Sequence, residues 1–134
     1  MSEQDNVQRV KAIYAAFGRG DVSAILNALA EDVEWHHVGA PEVPYGKTRR
    51  GREQVAPFFA ELSEGFELQQ FEVREYIAQG ETVVALGTWG ARVKRTGAIF
   101  TSEWAMVWKF SQGKVTYYRG FEDTAAVAAA CRGE

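Results

Sequence analysis

Few side chains in this sequence carry groups that can move a proton near neutral pH. The only histidines are His36 and His37, and an imidazole can take up and return a proton at little cost. Glu122 is a further candidate, because a carboxylate held among Trp rings loses solvation of its charged form, which raises its pKa and lets it act as an acid. Tyr14 and Tyr118 offer hydroxyls that can donate to a developing oxyanion. Adjacent residues of a strand face opposite sides, so His36 and His37 make a poor metal pair, and no other cluster at metal-ligand spacing is present. No Gly-rich phosphate loop occurs either. The single cysteine, Cys131, lies in an Ala-rich segment and reads as a packed thiol. No cofactor and no metal are expected.

The elements that must position these groups fit in one domain, residues 1–134. Aromatic residues make up 13% of the chain, more than a core of this size requires, so a lined cavity is a reasonable use for the remainder. Net charge is −3 with both signs interspersed, which argues against a nucleic-acid partner. The densest positive run, Lys47, Arg49, Arg50 and Arg52, reads as a solvated loop leading into a helix. The polar start MSEQDNVQRV has no signal-peptide pattern, and no apolar run is long enough to span a membrane. A single cysteine suits a reducing compartment, and a cytoplasmic location without membrane association is the expectation.

Val7, Val10, Ile13, Tyr14 and Phe17 recur at helical spacing, ended by Gly18 and Gly20. Asp21 is placed to cap a second helix carrying Ile25, Leu26 and Leu29. Residues 33–38 alternate as a half-buried strand. After a loop with Gly39, Pro41, Pro44 and Gly46, a third helix begins near Arg52, with Pro57 either in its first turn or at a bend. Strands follow over residues 71–78, 82–94, 98–110 and 115–121, separated by Gln79-Gly80, Thr96-Gly97 and Gln112-Gly113. Short turns between long strands make an antiparallel meander. Gly87 and Gly90 fall mid-strand, where glycine marks a bulge or bend. Asp123 caps a last helix over residues 124–131. The fold class is α+β: a cone-shaped barrel in which a curved, largely antiparallel sheet is covered on its concave face by three N-terminal helices, with a short C-terminal helix.

The chain resembles the nuclear transport factor 2-like superfamily, and within it the SnoaL-like and ketosteroid isomerase-like proteins, from about Val7 to Cys131. The resemblance rests on Tyr14-Ala15-Ala16-Phe17 with Gly20-Asp21, on Leu29-Ala30-Glu31-Asp32-Val33-Glu34-Trp35, and on Gly46 with Gly51-Arg52-Glu53. It is completed by Phe110-Ser111-Gln112-Gly113-Lys114-Val115 and Phe121-Glu122-Asp123-Thr124-Ala125-Ala126. These motifs are specific for fold and weak for function, because the superfamily hosts isomerases, cyclases, dehydratases and non-catalytic domains. Counting along them puts the isomerase base on His37, its first oxyanion donor on Ile13 beside Tyr14, and its second on Met106. The working aspartate of SnoaL-like cyclases falls on Gly120. One of the four positions keeps a proton-transferring side chain.

Strand parity from those positions gives the expected pocket lining: Tyr14, Trp35, His37, Phe59, Trp104, Met106, Trp108, Tyr118 and Glu122. His37 is the expected general base or acid, with Glu122 orienting it or acting as its partner. One reading is an enzyme without cofactor that transfers protons on a small hydrophobic molecule, as an isomerase, cyclase or dehydratase. The alternative is a non-catalytic domain that binds a lipophilic ligand or dimerises. The two are separated by whether His37 and Glu122 reach a common cavity. Ala105, Val107, Val84 and Leu86 on the opposite sheet face, beside Glu103 and Lys109, are too apolar for a surface facing water alone. The resemblance implies a homodimer through that face.

Overall fold

A computed structural model describes residues 2–134. The order is α1 (Glu3–Gly18), α2 (Val22–Asn27), β1 (Leu29–His37), β2 (Thr48–Arg50), α3 (Arg52–Gly65), β3 (Phe66–Gln79), β4 (Thr82–Val93), β5 (Ile99–Ser111), β6 (Lys114–Glu122) and α4 (Thr124–Cys131). Ser2 caps α1 through a reciprocal pair with Asp5, and Asp21 and Asp123 cap α2 and α4 by accepting the backbone N–H of Ala24 and Ala126. α3 starts at Arg52 behind Gly51 at φ 83°, so Pro57 lies in its second turn rather than its first.

The six strands form one sheet in the order β2-β1-β6-β5-β4-β3. β3 to β6 make the expected antiparallel meander, and β1 joins it parallel to β6. The meander turns place Gly80, Gly97, Gln112 and Gly113 at positive φ, as their sequences require. β2 was not expected: the basic run is a strand hydrogen-bonded to β1, with Trp35 opposite Arg49. Nor is the run wholly solvated, since Arg49 is buried against Glu61 (2.7 Å) and Arg52 donates to the Leu29 carbonyl.

The bend in the sheet is built at Gly87. β3 shifts register between Val73 and Glu75, opposite Gly87, and the Trp104 indole lies across the glycine from β5. A Cβ at Gly87 would overlap both the Glu72 carbonyl oxygen and the Trp104 ring. Gly87→Ala is therefore expected to destabilise the fold by about 1–3 kcal/mol, read as a lower midpoint in urea; an unchanged midpoint would mean that the bend has another cause.

The concave face and the helices α1 to α3 enclose a single core that contains Val10, Ile25, Val33, Val55, Val83 and Val115, all at most 1% exposed. The C-terminal end of α4 is held by the β4–β5 turn, where Arg95 and Thr96 donate to the carbonyls of Cys131 and Ala130. The outer face carries Val84, Leu86, Ala105 and Val107, half-buried, with Ile77 and Phe121 exposed beside them. No helix among the described residues is long and apolar enough to cross a membrane.

Candidate functional site

Alternation along β1 turns Val33, Trp35 and His37 inward, all buried. The strand pairing aligns them with β6 and β5: Trp35 with Tyr118 and Trp108, and His37 with Gly120 and Met106. The three strand positions reached by counting along the motifs thus form one row across three neighbouring strands. Together with α1 and α3 they line a half-open cavity of about 70 Å³ whose wall is almost wholly apolar.

Eight of the nine expected lining residues do line it: Tyr14, Trp35, His37, Phe59, Met106, Trp108, Tyr118 and Glu122. Trp104 does not. Its ring faces inward but lies flat on Phe71 (5.2 Å, 20°), in the space that Gly87 leaves open. His37 and Glu122 open on this same cavity.

At one end, His37 Nε2 and the Tyr118 hydroxyl are hydrogen-bonded at 2.7 Å. The pair sits over Gly120, where a Cβ would come within 2.5 Å of His37 Cε1 and 2.6 Å of the Tyr118 oxygen. The position that holds an aspartate in the resembling cyclases is here filled from above by two other side chains. Phe58 stacks on the imidazole (5.0 Å, 23°), and the Arg49 guanidinium lies over Phe58. Burial, reinforced by the positive charge of Arg49, pushes the His37 pKa down to about 3, so the ring is neutral at physiological pH. His37 Nδ1 and Trp35 Nε1 find no hydrogen-bond partner among the described residues. Tyr118 lies flat on Trp35 (4.0 Å), and burial raises its pKa.

Beside the pair of His37 and Tyr118, with its ring 5.4 Å from that of His37, Tyr45 donates from its hydroxyl to Glu122 Oε2 at 2.5 Å. Burial raises the Glu122 carboxyl to about 7, against the opposing effect of hydrogen bonds from Tyr45 and Trp89. Tyr45 arrives on the loop joining β1 to β2. Gly39 and Gly46 bring that loop's two arms together, since a Cβ on Gly46 would stand 2.9 Å from Gly39 Cα, and Glu42 pairs with Arg132 at 3.0 Å. Elsewhere in the wall, the Tyr14 oxygen accepts from Trp108 Nε1 (3.0 Å) while its hydrogen is directed to Met106 Sδ (3.1 Å). A thioether is a weak acceptor, so this hydroxyl can turn to a better one.

Tyr45, Phe58 and Trp89 line the cavity without having been anticipated. Tyr45 carried one usable signal, a large aromatic between Pro44 and Gly46 in a loop otherwise of small and turn-forming residues. Trp89 shares the parity of Gly87 on β4 and could have been placed from it. Among the described residues, no three His, Cys, Asp or Glu side chains gather as a metal site.

Residues 10–118 match the family model described as the SnoaL-like domain. The chain belongs to this SnoaL-like family. Among solved structures, an NTF2-like protein from Burkholderia xenovorans LB400 is 40% identical, with 98% of each chain covered and a TM-score of 0.90. An NTF2-like protein from Burkholderia thailandensis E264 is 29% identical, with 97% of this chain and 98% of that one covered and a TM-score of 0.86. TerC, crystallised with polyporic acid, is 28% identical over 96% of this SnoaL-like chain and 98% of its own, with a TM-score of 0.84. No curated protein matches the chain in sequence.

Proposed function

We propose that this SnoaL-like protein binds a small, flat, oxygen-bearing hydrophobic molecule in its cavity and catalyses proton transfer on it, with Glu122 as the base. The observation that carries the reading is that Glu122 opens, beside neutral His37 and Tyr118, on one apolar cavity. A base works best when its pKa lies near the operating pH, and burial brings Glu122 to about 7. His37, held near 3 and hydrogen-bonded to Tyr118, is suited to holding a hydroxyl in place rather than accepting a proton. The likeness to TerC, whose crystal contained polyporic acid, supports a small organic ligand for this fold.

In this reaction the Glu122 carboxylate takes a proton from the carbon between a carbonyl and a ring C=C bond, so that the carbanion is shared with the far carbon of that bond. The C–H electron pair moves into the ring system and the carbonyl becomes an enolate, whose oxygen accepts a hydrogen bond from Tyr14 or Tyr118. Glu122 then returns the proton to a different carbon, so the product is an isomer and no other reactant is consumed.

The test is incubation with a panel of enolisable cyclic ketones in deuterated buffer, with label uptake followed by mass spectrometry. The proposal expects uptake above the buffer blank for wild type and not for Glu122→Gln. Ligands that quench tryptophan fluorescence yet exchange no faster than the blank would leave the non-catalytic binding reading in its place.

A further inference from the structure

The chamber is small for a ligand site. Its volume of about 70 Å³ is well below the roughly 300 Å³ at which small-molecule pockets begin. A second space of about 410 Å³ adjoins it, bounded by the end of α1, α2, the end of α3 and the start of β3. Phe17, Ile25, Phe59, Leu62 and Trp89 line both spaces, so one layer of side chains separates them. Phe17, Phe59 and Leu62 in that layer are only half-buried, and none of the three has a polar group to fix it. The groove itself has no charged residue in its lining; Ser63 supplies its one polar side chain. Leu68 stands on its bank, 47% exposed.

We infer that the ligand has two parts, a compact flat head carrying an oxygen function that enters the chamber and an uncharged apolar tail that lies in the groove between α2 and α3. The inference rests on the chamber being the ligand site and extends it to a substrate class: alkyl- or prenyl-substituted cyclic molecules rather than bare rings. The head meets Glu122, Tyr14 and Tyr118, whereas the tail meets mainly carbon, with the Ser63 side chain on one bank. Rotation of Phe17, Phe59 or Leu62 joins the two spaces without breaking a hydrogen bond. A charged tail would find no counter-charge in the groove, whose lining holds no charged residue, and is disfavoured.

A series of 4-n-alkylphenols from methyl to octyl, titrated by tryptophan fluorescence, tests this without requiring turnover. Affinity is expected to rise about fourfold per added methylene while the tail is entering the groove, and then to level off. Leu68→Glu changes a surface position that lines only the groove, so the fold is not at risk. It should weaken the octyl member by about tenfold or more and leave the methyl member unchanged. Ser63→Trp, at an exposed position on the opposite bank, should bring the plateau to a shorter tail. Equal affinity across the series, or equal losses for methyl and octyl members in Leu68→Glu, would overturn the tail assignment while leaving the chamber intact. Failure of every member to bind would overturn the chamber as a ligand site and the tail with it.

Discussion

Replacing Glu122 by Gln is expected to slow proton exchange by about 10²- to 10⁴-fold, the usual contribution of a positioned base, with little loss of affinity for neutral ligands. The amide keeps the shape of the carboxyl and can still accept from Tyr45, but it cannot take a proton. In wild type, exchange should rise with pH through about 7 and level off above, because the working form is the carboxylate. A rate that falls with pH over that range would make the protonated form the working one and Glu122 an acid.

The same substitution should also show in stability. The folded pKa of Glu122 lies above its unfolded value of 4.5. Between pH 4.5 and 7 the folded state therefore holds a proton that the unfolded state has lost, and stability falls as pH rises, by on the order of 3 kcal/mol in full. His37 has the opposite sign. Its folded pKa, about 3, is below its unfolded value of 6.5, so stability falls as pH falls through that window. The two slopes oppose each other between pH 4.5 and 6.5. Removing the carboxyl should leave the histidine slope alone and stabilise the protein above pH 7.

Glu61→Ala should produce the largest loss of stability, about 3 kcal/mol. Arg49 is 4% exposed and relies on Glu61 (2.7 Å) and on the Gln54 carbonyl (3.2 Å), with Nε already unpartnered. Removing the carboxylate leaves a buried cation without its counter-charge, which typically costs about 3–5 kcal/mol. The lower end applies because the Glu61 side chain is 27% exposed and water can reach the vacated space. For a chain of this length that corresponds to a fall in Tm of about 10 °C. Adding Arg49→Met should recover most of it, since an apolar side chain in that place has no charge to leave unpaired. A fall of under about 2 °C for Glu61→Ala would mean that the guanidinium is solvated. The pair bears on the site, because Arg49 packs on the ring that stacks on His37 and helps hold the imidazole neutral.

Strand parity was the most informative signal in the sequence. It turned Trp35, His37, Trp108, Tyr118 and Glu122 inward from three separate strands, because a side-chain period of two leaves no choice once one residue of each strand is oriented. The turn glycines fixed the meander in the same way, through the positive φ that their positions demand. Parity alone misplaced Trp104. It faces inward like Trp108, but Gly87 on the neighbouring strand opens a shelf on which the indole lies flat, and that shelf depends on two strands at once. β2 was hidden because it has three residues and turns a charged one inward, against the hydrophobic pattern that marks strands. Tyr45 was hidden because a loop's path is set by what it packs on, here Glu122 and the close approach of Gly39 to Gly46. The choice between His37 and Glu122 as base depended on burial and on Arg49, neither of which a residue type discloses.

Proton transfer in this cavity requires a carboxyl that changes charge near neutral pH. The direct measurement is a carbon-13 NMR titration of side-chain carboxyls in protein labelled at glutamate, with the Glu122 resonance assigned by its absence from Glu122→Gln. The predicted result is a midpoint close to 7, moving higher in Tyr45→Phe as the hydrogen bond that favours the carboxylate is removed. A midpoint near 4.5, unmoved by loss of the Tyr45 hydroxyl, would place Glu122 in contact with water and contradict its role as the base.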